Sequence, residues 1–250
     1  MPSIDLNCDM GESFGPWVMG NDQAILTQVT SANIACGFHA GDADTMFATV
    51  KAAIAAGVAV GAHPGTPDLQ GFGRRVMALT AAEVYNLVIY QVGAMQGFCK
   101  ALGTSLHHVK THGALYSMTG KDMALAKAVS QAVYDIDPSL LVYVANANMI
   151  EAAQTIGLPV AFEIYADRSY QDDGTLTPRN LPHAMIEDVD QAIAQVKRMV
   201  LEGKVRALSG RDVAIRADTL CIHGDQPGAV VFAERIRTAL EAEGIAITTM

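Results

Sequence analysis

Two-residue alternation inside the strand-like runs limits most what this chain can become. In Ser3–Asp9, Ile4, Leu6 and Cys8 fall on one side, and Asp5, Asn7 and Asp9 fall on the other, because successive strand side chains point to opposite faces. In His107–His112, Val109 and Thr111 oppose His108, Lys110 and His112. In Val160–Asp167, Phe162 and Ile164 alternate with Glu163, Tyr165 and Asp167, and in Asp218–His223, Leu220 and Ile222 alternate with Cys221 and His223. A parallel sheet buried on both faces reads as nearly all apolar. One ionisable face per strand therefore needs a place to go, and burying unpaired charges in a dry core costs several kcal/mol each.

The remaining candidate strands are Ser31–Cys36, Val58–His63 and Leu140–Asn146. Between them lie helix-like segments at Asp42–Ala56, Thr80–Leu102, Lys121–Asp135, Ala147–Ile156, Glu187–Glu202 and Gly228–Glu243. Thr80 and Glu83 have capping-box spacing, and Gly103 and Gly203 stand where helices stop. Strand–helix alternation from end to end predicts an α/β fold with a parallel sheet. The pattern fits an open doubly wound sheet or a closed barrel; the polar faces favour the barrel, whose mouth is wet and whose strand C-termini carry active sites. With no linker, repeat or low-complexity tract, one domain over residues 1–250 is expected. Two long polar connections, Pro64–Leu79 and Tyr170–Ile186, read as binding loops or lids.

Composition excludes several classes. With 17 Lys plus Arg against 26 Asp plus Glu, the net charge of −9 argues against a nucleic-acid partner. The longest apolar run, Ala52–Ala62, is too short to span a bilayer. Cys8, Cys36, Cys99 and Cys221 form no Cys-x-x-Cys pair, and the N-terminus carries no secretory pattern, so a cytoplasmic protein without a membrane partner is expected.

The polar strand ends are the candidate chemistry: Asp9, His63, His112, Asn146, Asp167 and His223. Asp5, early in its strand, also suits a satisfied ion pair, and His107–His108 read as a surface strand start. Gly11-Glu12-Ser13-Phe14-Gly15 has nucleophile-elbow spacing, but Pro16 and Gly20 follow where a helix must start. No phosphate-binding Gly-x4-Gly-Lys-Ser/Thr loop and no His-Glu-x-x-His occurs. Asp9, His39 and His63 form a candidate set for divalent zinc or manganese.

Six stretches together resemble the LamB/YcsF family of lactam-utilisation proteins: DLNCDMGESFG at 5–15, SANIACGFHAGD at 31–42, GAHPGTPDLQGFGRR at 61–75, VKTHGALY at 109–116 with FEIYADRSY at 162–170, and CIHGD at 221–225. Thr111 departs from the family pattern, where Pro stands between the Lys and the His. The resemblance runs almost from end to end. It implies a seven-stranded (β/α) barrel similar to the sugar-deacetylase-like barrels. It also implies ATP-dependent opening of 5-oxo-L-proline to L-glutamate, with ATP handled mainly by two other subunits of a 5-oxoprolinase. A stand-alone metal-dependent amidase or deacetylase, and a non-catalytic binding protein, are the alternatives; homo-oligomerisation and a bound metal stay open.

For that reaction, Glu163 or Asp9 suits the base, with His63 and His223 as alternatives. Lys110, helped by His112 and Arg168, suits the charge developing on oxygen, and His112 or His223 suits protonation of the ring nitrogen. Arg75 or Arg179 on the long loops suits the substrate carboxylate. Asn7, Asn33 and Asn146 suit orientation of the amide, and Glu12, His39, Asp167 and Asp225 complete the expected polar surroundings.

Overall fold

A computed structural model describes residues 2–222 and 228–250. The parallel strands are β1 (Ser3–Met10), β2 (Ser31–Ala35), β3 (Ala59–His63), β4 (His108–Val109), β5 (Leu141–Val144) and β6 (Val160–Tyr165). An antiparallel hairpin follows, β7 (Lys204–Arg206) with β8 (Asp212–Ala214), then β9 (Thr219–Ile222) and the short β10 (Ala246–Ile247). The sheet order is β10-β1-β2-β3-β4-β5-β6-β9, and β9 also pairs with β1. That last pairing closes a seven-stranded parallel barrel, with β10 added along the first residues of β1. Closure removes the edges that an open sheet would leave.

Helices wrap the outside: α1 (Asp22–Ile25), α2 (Ala43–Ala56), α3 (Ala81–Ala101), α4 (Gly113–Thr119), α5 (Met123–Ile136), α6 (Ala147–Thr155), α7 (Val189–Glu202) and α8 (Ala229–Ala242). The ends are where local chemistry puts them. Asp42 caps α2 through the Thr45 N–H, Thr80 and Glu83 form the capping box of α3, and Gly203 ends α7 in the left-handed region. The outward strand residues Ile4, Leu6, Ile34, Val60, Val142, Ile164 and Leu220 are buried in the core beneath these helices. Each such side chain contributes about 1.5–3 kcal/mol through burial.

The opposite strand face fills the lumen, as the alternation predicts, but its lower half is dry rather than water-filled. Asp5, Asn7, Asn33 and His108 are at most 1% exposed. They satisfy one another: Asp5 accepts from the hydroxyls of Thr30, Ser31 and Thr219, and Asn33 donates to Asn7. Asp5 is thus held by neutral donors rather than by an ion pair. His108 is not at the surface either; its ring stacks on Tyr143 at 4.0 Å, and its Nε2 bonds the Asn33 side-chain oxygen at 2.7 Å. Gly61 on the neighbouring strand makes room for that ring.

The expected strand His107–His112 shortens to two residues. The chain still runs beside β3, since Lys110 N–H and His112 N–H donate to the Ala62 and Pro64 carbonyls. Gly113, at φ +51°, then turns it into α4, which the sequence reading did not anticipate. The hairpin β7–β8, α1 and β10 were likewise unforeseen, being short or lacking a periodic pattern. Among the described residues no helix is long and apolar enough to cross a membrane.

Candidate active site at the barrel mouth

Above the dry layer, β1, β3, β4 and β6 deliver charged side chains to one place. Lys110 Nζ lies 2.8 Å from Glu163 Oε1 and 3.0 Å from Asp9 Oδ1. It also reaches Asn7 Oδ1 at 3.2 Å and Cys221 Sγ at 3.1 Å. Burial disfavours the Lys110 charge, but the carboxylates of Asp9 and Glu163 outweigh it and push its pKa well above the ordinary value. Glu163 is sealed from solvent and accepts from the Tyr165 hydroxyl at 2.6 Å. Asp9 keeps 21% of its side chain exposed. Burial raises its pKa, yet His63 and Lys110 more than compensate and hold it well below the usual carboxylate range.

A second cluster adjoins the first. His63 Nε2 is 3.3 Å from Asp9 Oδ2 and 3.0 Å from His112 Nδ1. His39 stacks on His112 with ring centroids 3.7 Å apart, and its Nε2 lies 3.3 Å from Glu12 Oε1. Glu12, His39, His63 and His112 each place a ligand atom within 4.8 Å of the others, a group able to hold a metal ion. The set anticipated from sequence, Asp9 with His39 and His63, is thereby regrouped: Glu12 and His112 join the histidines, and Asp9 stands between this cluster and Lys110. Gly73 lets the 64–79 loop pass against both stacked rings; a Cβ there would fall 2.6 Å from His39 Cβ and 2.9 Å from His112 Cδ2.

The cavity over these groups has a volume of about 350 Å³. Asp9, His63, Lys110, His112, Tyr116, Tyr165 and Cys221 line it, and Arg74, Arg168 and Arg179 add positive charge. Burial pushes the Cys221 thiol well above its ordinary pKa, so it stays protonated and is a poor nucleophile.

The other anticipated residues divide between the edge of this site and positions away from it; Asn7 accepts from Lys110 and Asn33 donates to Asp9. Arg75 is largely exposed and folds back on Asp68, which also accepts from Gly71 N–H; the adjacent Arg74 lines the cavity instead. Asn7 and Asn33 lie in the lumen below, within the hydrogen-bonded layer. Asn146 caps α6 through Met149 N–H, and Asp167 lines a separate groove with Met185 and Phe232. Arg168 donates to the Thr177 and Ala184 carbonyls and so ties down the 170–186 loop, while Arg179 from that loop lines the mouth. His223 and Asp225 lie outside the described residues.

Sequence reasoning did not single out Arg74, Tyr116, Tyr165 or Cys221 as site residues. Tyr165 and Cys221 were within reach, being in phase with Glu163 and with Thr219 on their strands. Tyr116 rides on the unanticipated α4, and no periodicity separates Arg74 from Arg75.

The LamB/YcsF family profile matches residues 4–250. The chain is 71% identical over 250 residues to the second of the 5-oxoprolinase A subunits of Bordetella bronchiseptica, covering all of both chains. It is 54% identical to the 5-oxoprolinase A subunit of Bacillus subtilis, covering all of this chain and 98% of that one. Among solved structures, the lactam utilization protein of Thermus thermophilus superposes with a TM-score of 0.96 at 48% identity, over 99% of this chain and 100% of that one.

Proposed function

This chain belongs to the LamB/YcsF family, and we propose that it serves as the A subunit of an ATP-dependent 5-oxoprolinase, opening the lactam of 5-oxo-L-proline to L-glutamate at the barrel mouth. The observation that carries the reading is the end-to-end identity, 71% and 54%, to proteins bearing that name. The cavity adds support, because it is small and places cations, a carboxylate and hydroxyls around one space.

A five-membered lactam is an unstrained amide and a poor electrophile. Phosphorylation of its oxygen by ATP makes the ring carbon open to attack by water; expulsion of the ring nitrogen then leaves an acyl phosphate, which a second water hydrolyses to L-glutamate and phosphate. The chain has no phosphate-binding loop of the Gly-x4-Gly-Lys-Ser/Thr type, so two partner subunits handle ATP in this reading and the barrel handles the ring.

Within the barrel, Asp9 is better placed than Glu163 to activate water. Its carboxylate reaches the cavity, whereas Glu163 is sealed beneath Lys110 and Tyr165. The proton taken by Asp9 is then available to the departing ring nitrogen. Lys110 holds positive charge under the reacting carbonyl, and its fixed position avoids reorganisation during the reaction. Arg74 and Arg179 face the cavity from the two long loops and receive the substrate carboxylate.

The test is reconstitution of the purified chain with its partner subunits, following glutamate from 5-oxoproline. Glutamate should form only with ATP and only when this chain is present. Equal turnover without it would overturn the assignment.

A further inference from the structure

At the mouth, several electron-rich atoms lie close together. His63 Nδ1 lies 2.7 Å from the Lys110 carbonyl oxygen. A carbonyl only accepts, so Nδ1 carries a ring proton, and in the neutral tautomer Nε2 presents a lone pair. His112 Nε2 lies 2.8 Å from the Phe72 carbonyl oxygen, which leaves its Nδ1 as the lone-pair nitrogen. These two nitrogens are 3.0 Å apart. Glu12 Oε1 is 3.7 Å from His112 Nδ1, and Asp9 Oδ2 is 3.3 Å from His63 Nε2. His63 and His112 are both buried, so bulk water does little to screen this repulsion. Either a proton on His63 Nε2, facing both His112 and Asp9, or a metal ion among the four atoms resolves it.

The spacing favours the metal. Bonds of about 2.0–2.2 Å to imidazole nitrogen and carboxylate oxygen place the ligand atoms of a tetrahedral ion about 3.3–3.6 Å apart. The separations of 3.0 Å between His63 Nε2 and His112 Nδ1 and 3.7 Å between His112 Nδ1 and Glu12 Oε1 lie on either side of that edge length. The rings of His63 and His112 are 86° apart, so one ion can lie in both planes. His39 cannot share that ion with His112. Their rings are parallel within 4° and stacked at 3.7 Å, so an ion in the plane of one is well out of the plane of the other. His39 instead holds the Glu12 carboxylate at 3.3 Å.

We infer that His63 Nε2, His112 Nδ1 and Glu12 Oε1 bind a divalent transition metal of the zinc class, with a fourth position open to the cavity beside Asp9. The nitrogen-rich mixed donor set suits zinc, or cobalt as its probe, better than magnesium or calcium. His39 is a positioning residue acting through Glu12, while the Lys110 and Phe72 carbonyls set the tautomers of the two ligand rings. This inference does not depend on the lactam reading, because metal binding is measured on the chain alone.

The experiment is cobalt(II) titration of chelator-treated, full-length chain, followed by visible absorption and by metal content after dialysis. A stoichiometric, intense d–d band that zinc displaces is the expected result. His63→Ala and His112→Ala should each abolish it. His39→Ala should retain the band with about 10–100-fold weaker affinity, the usual effect of losing an outer-shell partner. Arg75→Ala should change nothing. Should an alanine variant fail to fold, Glu12→Gln and the wild-type titration still decide the matter. Absence of any band with the wild-type chain, or a band that survives both histidine substitutions, overturns the site; a shared proton then accounts for the short His63–His112 contact.

Discussion

Gly61 on β3 and His108 on β4 are register partners that occupy one lumen position between them: a Cβ built on Gly61 would fall 2.0 Å from His108 Nε2. The missing side chain on one strand is the space for the ring on the next. That ring in turn links Asn33 and Tyr143 across the barrel floor. Gly61→Ala should therefore destabilise the fold by about 1–3 kcal/mol through overpacking, measured by urea unfolding. Combining it with His108→Ala should cost less than the sum of the two single changes, because both act on the same space. Strict additivity would show that the two positions do not compete.

Lys110 is flanked by two carboxylates, so its removal strands both. Lys110→Met should destabilise the chain by about 3–5 kcal/mol, the cost of leaving buried charge unpaired. It should also lower the lactam-opening rate of the assembled enzyme by about 100-fold or more. Glu163→Gln leaves Lys110 paired with Asp9 and should be milder in stability. Circular dichroism separates loss of fold from loss of chemistry.

Two adjacent arginines make opposite predictions. Arg74 lines the cavity, whereas Arg75 turns outward onto Asp68. Arg74→Ala should raise KM for the lactam by about 10–100-fold, the worth of a charge-assisted contact. Arg75→Ala should leave KM unchanged. Steady-state kinetics on the reconstituted enzyme reads both, and the reverse pattern would put the carboxylate clamp at Arg75.

Stability should fall on mild acidification. Burial, with smaller repulsion from neighbouring cationic groups, holds His39 and His108 well below the ordinary histidine pKa of 6.5 and His112 at about 3. Below pH 6.5 the unfolded chain binds protons at these sites that the folded chain refuses, so unfolding takes up protons and stability rises with pH across this window. Each such histidine contributes a slope of up to about 1.4 kcal/mol per pH unit. In chelator-containing buffer, Tm should be nearly level above about pH 7 and should drop steadily from about pH 6.5 to about 5. A level Tm over that lower range would mean that the three rings are readily protonated in the folded state.

Much of the architecture was readable from local signals. Alternation along Ser3–Asp9 and Val160–Asp167 put Asp9, Glu163 and Tyr165 on the lumen side, because strand geometry allows no other phase. The Thr80–Glu83 box and Gly203 marked helix ends through chemistry confined to one turn. Beyond the short elements α1, α4, β7–β8 and β10, which carry little or no periodic signal, the reading failed at non-local features. His108 was read as a surface residue because the glycine that makes room for it lies 47 positions earlier. Arg74 and Arg75 are indistinguishable in a loop with no period. The dryness of the lower lumen depends on how seven strands stagger across a closed circuit, which no single strand encodes.

By itself, then, the order of residues determined the parallel α/β plan, the phase of each strand and most helix boundaries, since backbone stereochemistry and capping act over a few residues. Only the tertiary structure decided that Lys110 sits between Asp9 and Glu163, that Glu12 and His112 join His39 and His63, and that Arg74 faces the cavity. Those relationships join atoms far apart along the chain, and they are set by barrel closure and loop packing rather than by any neighbour in sequence.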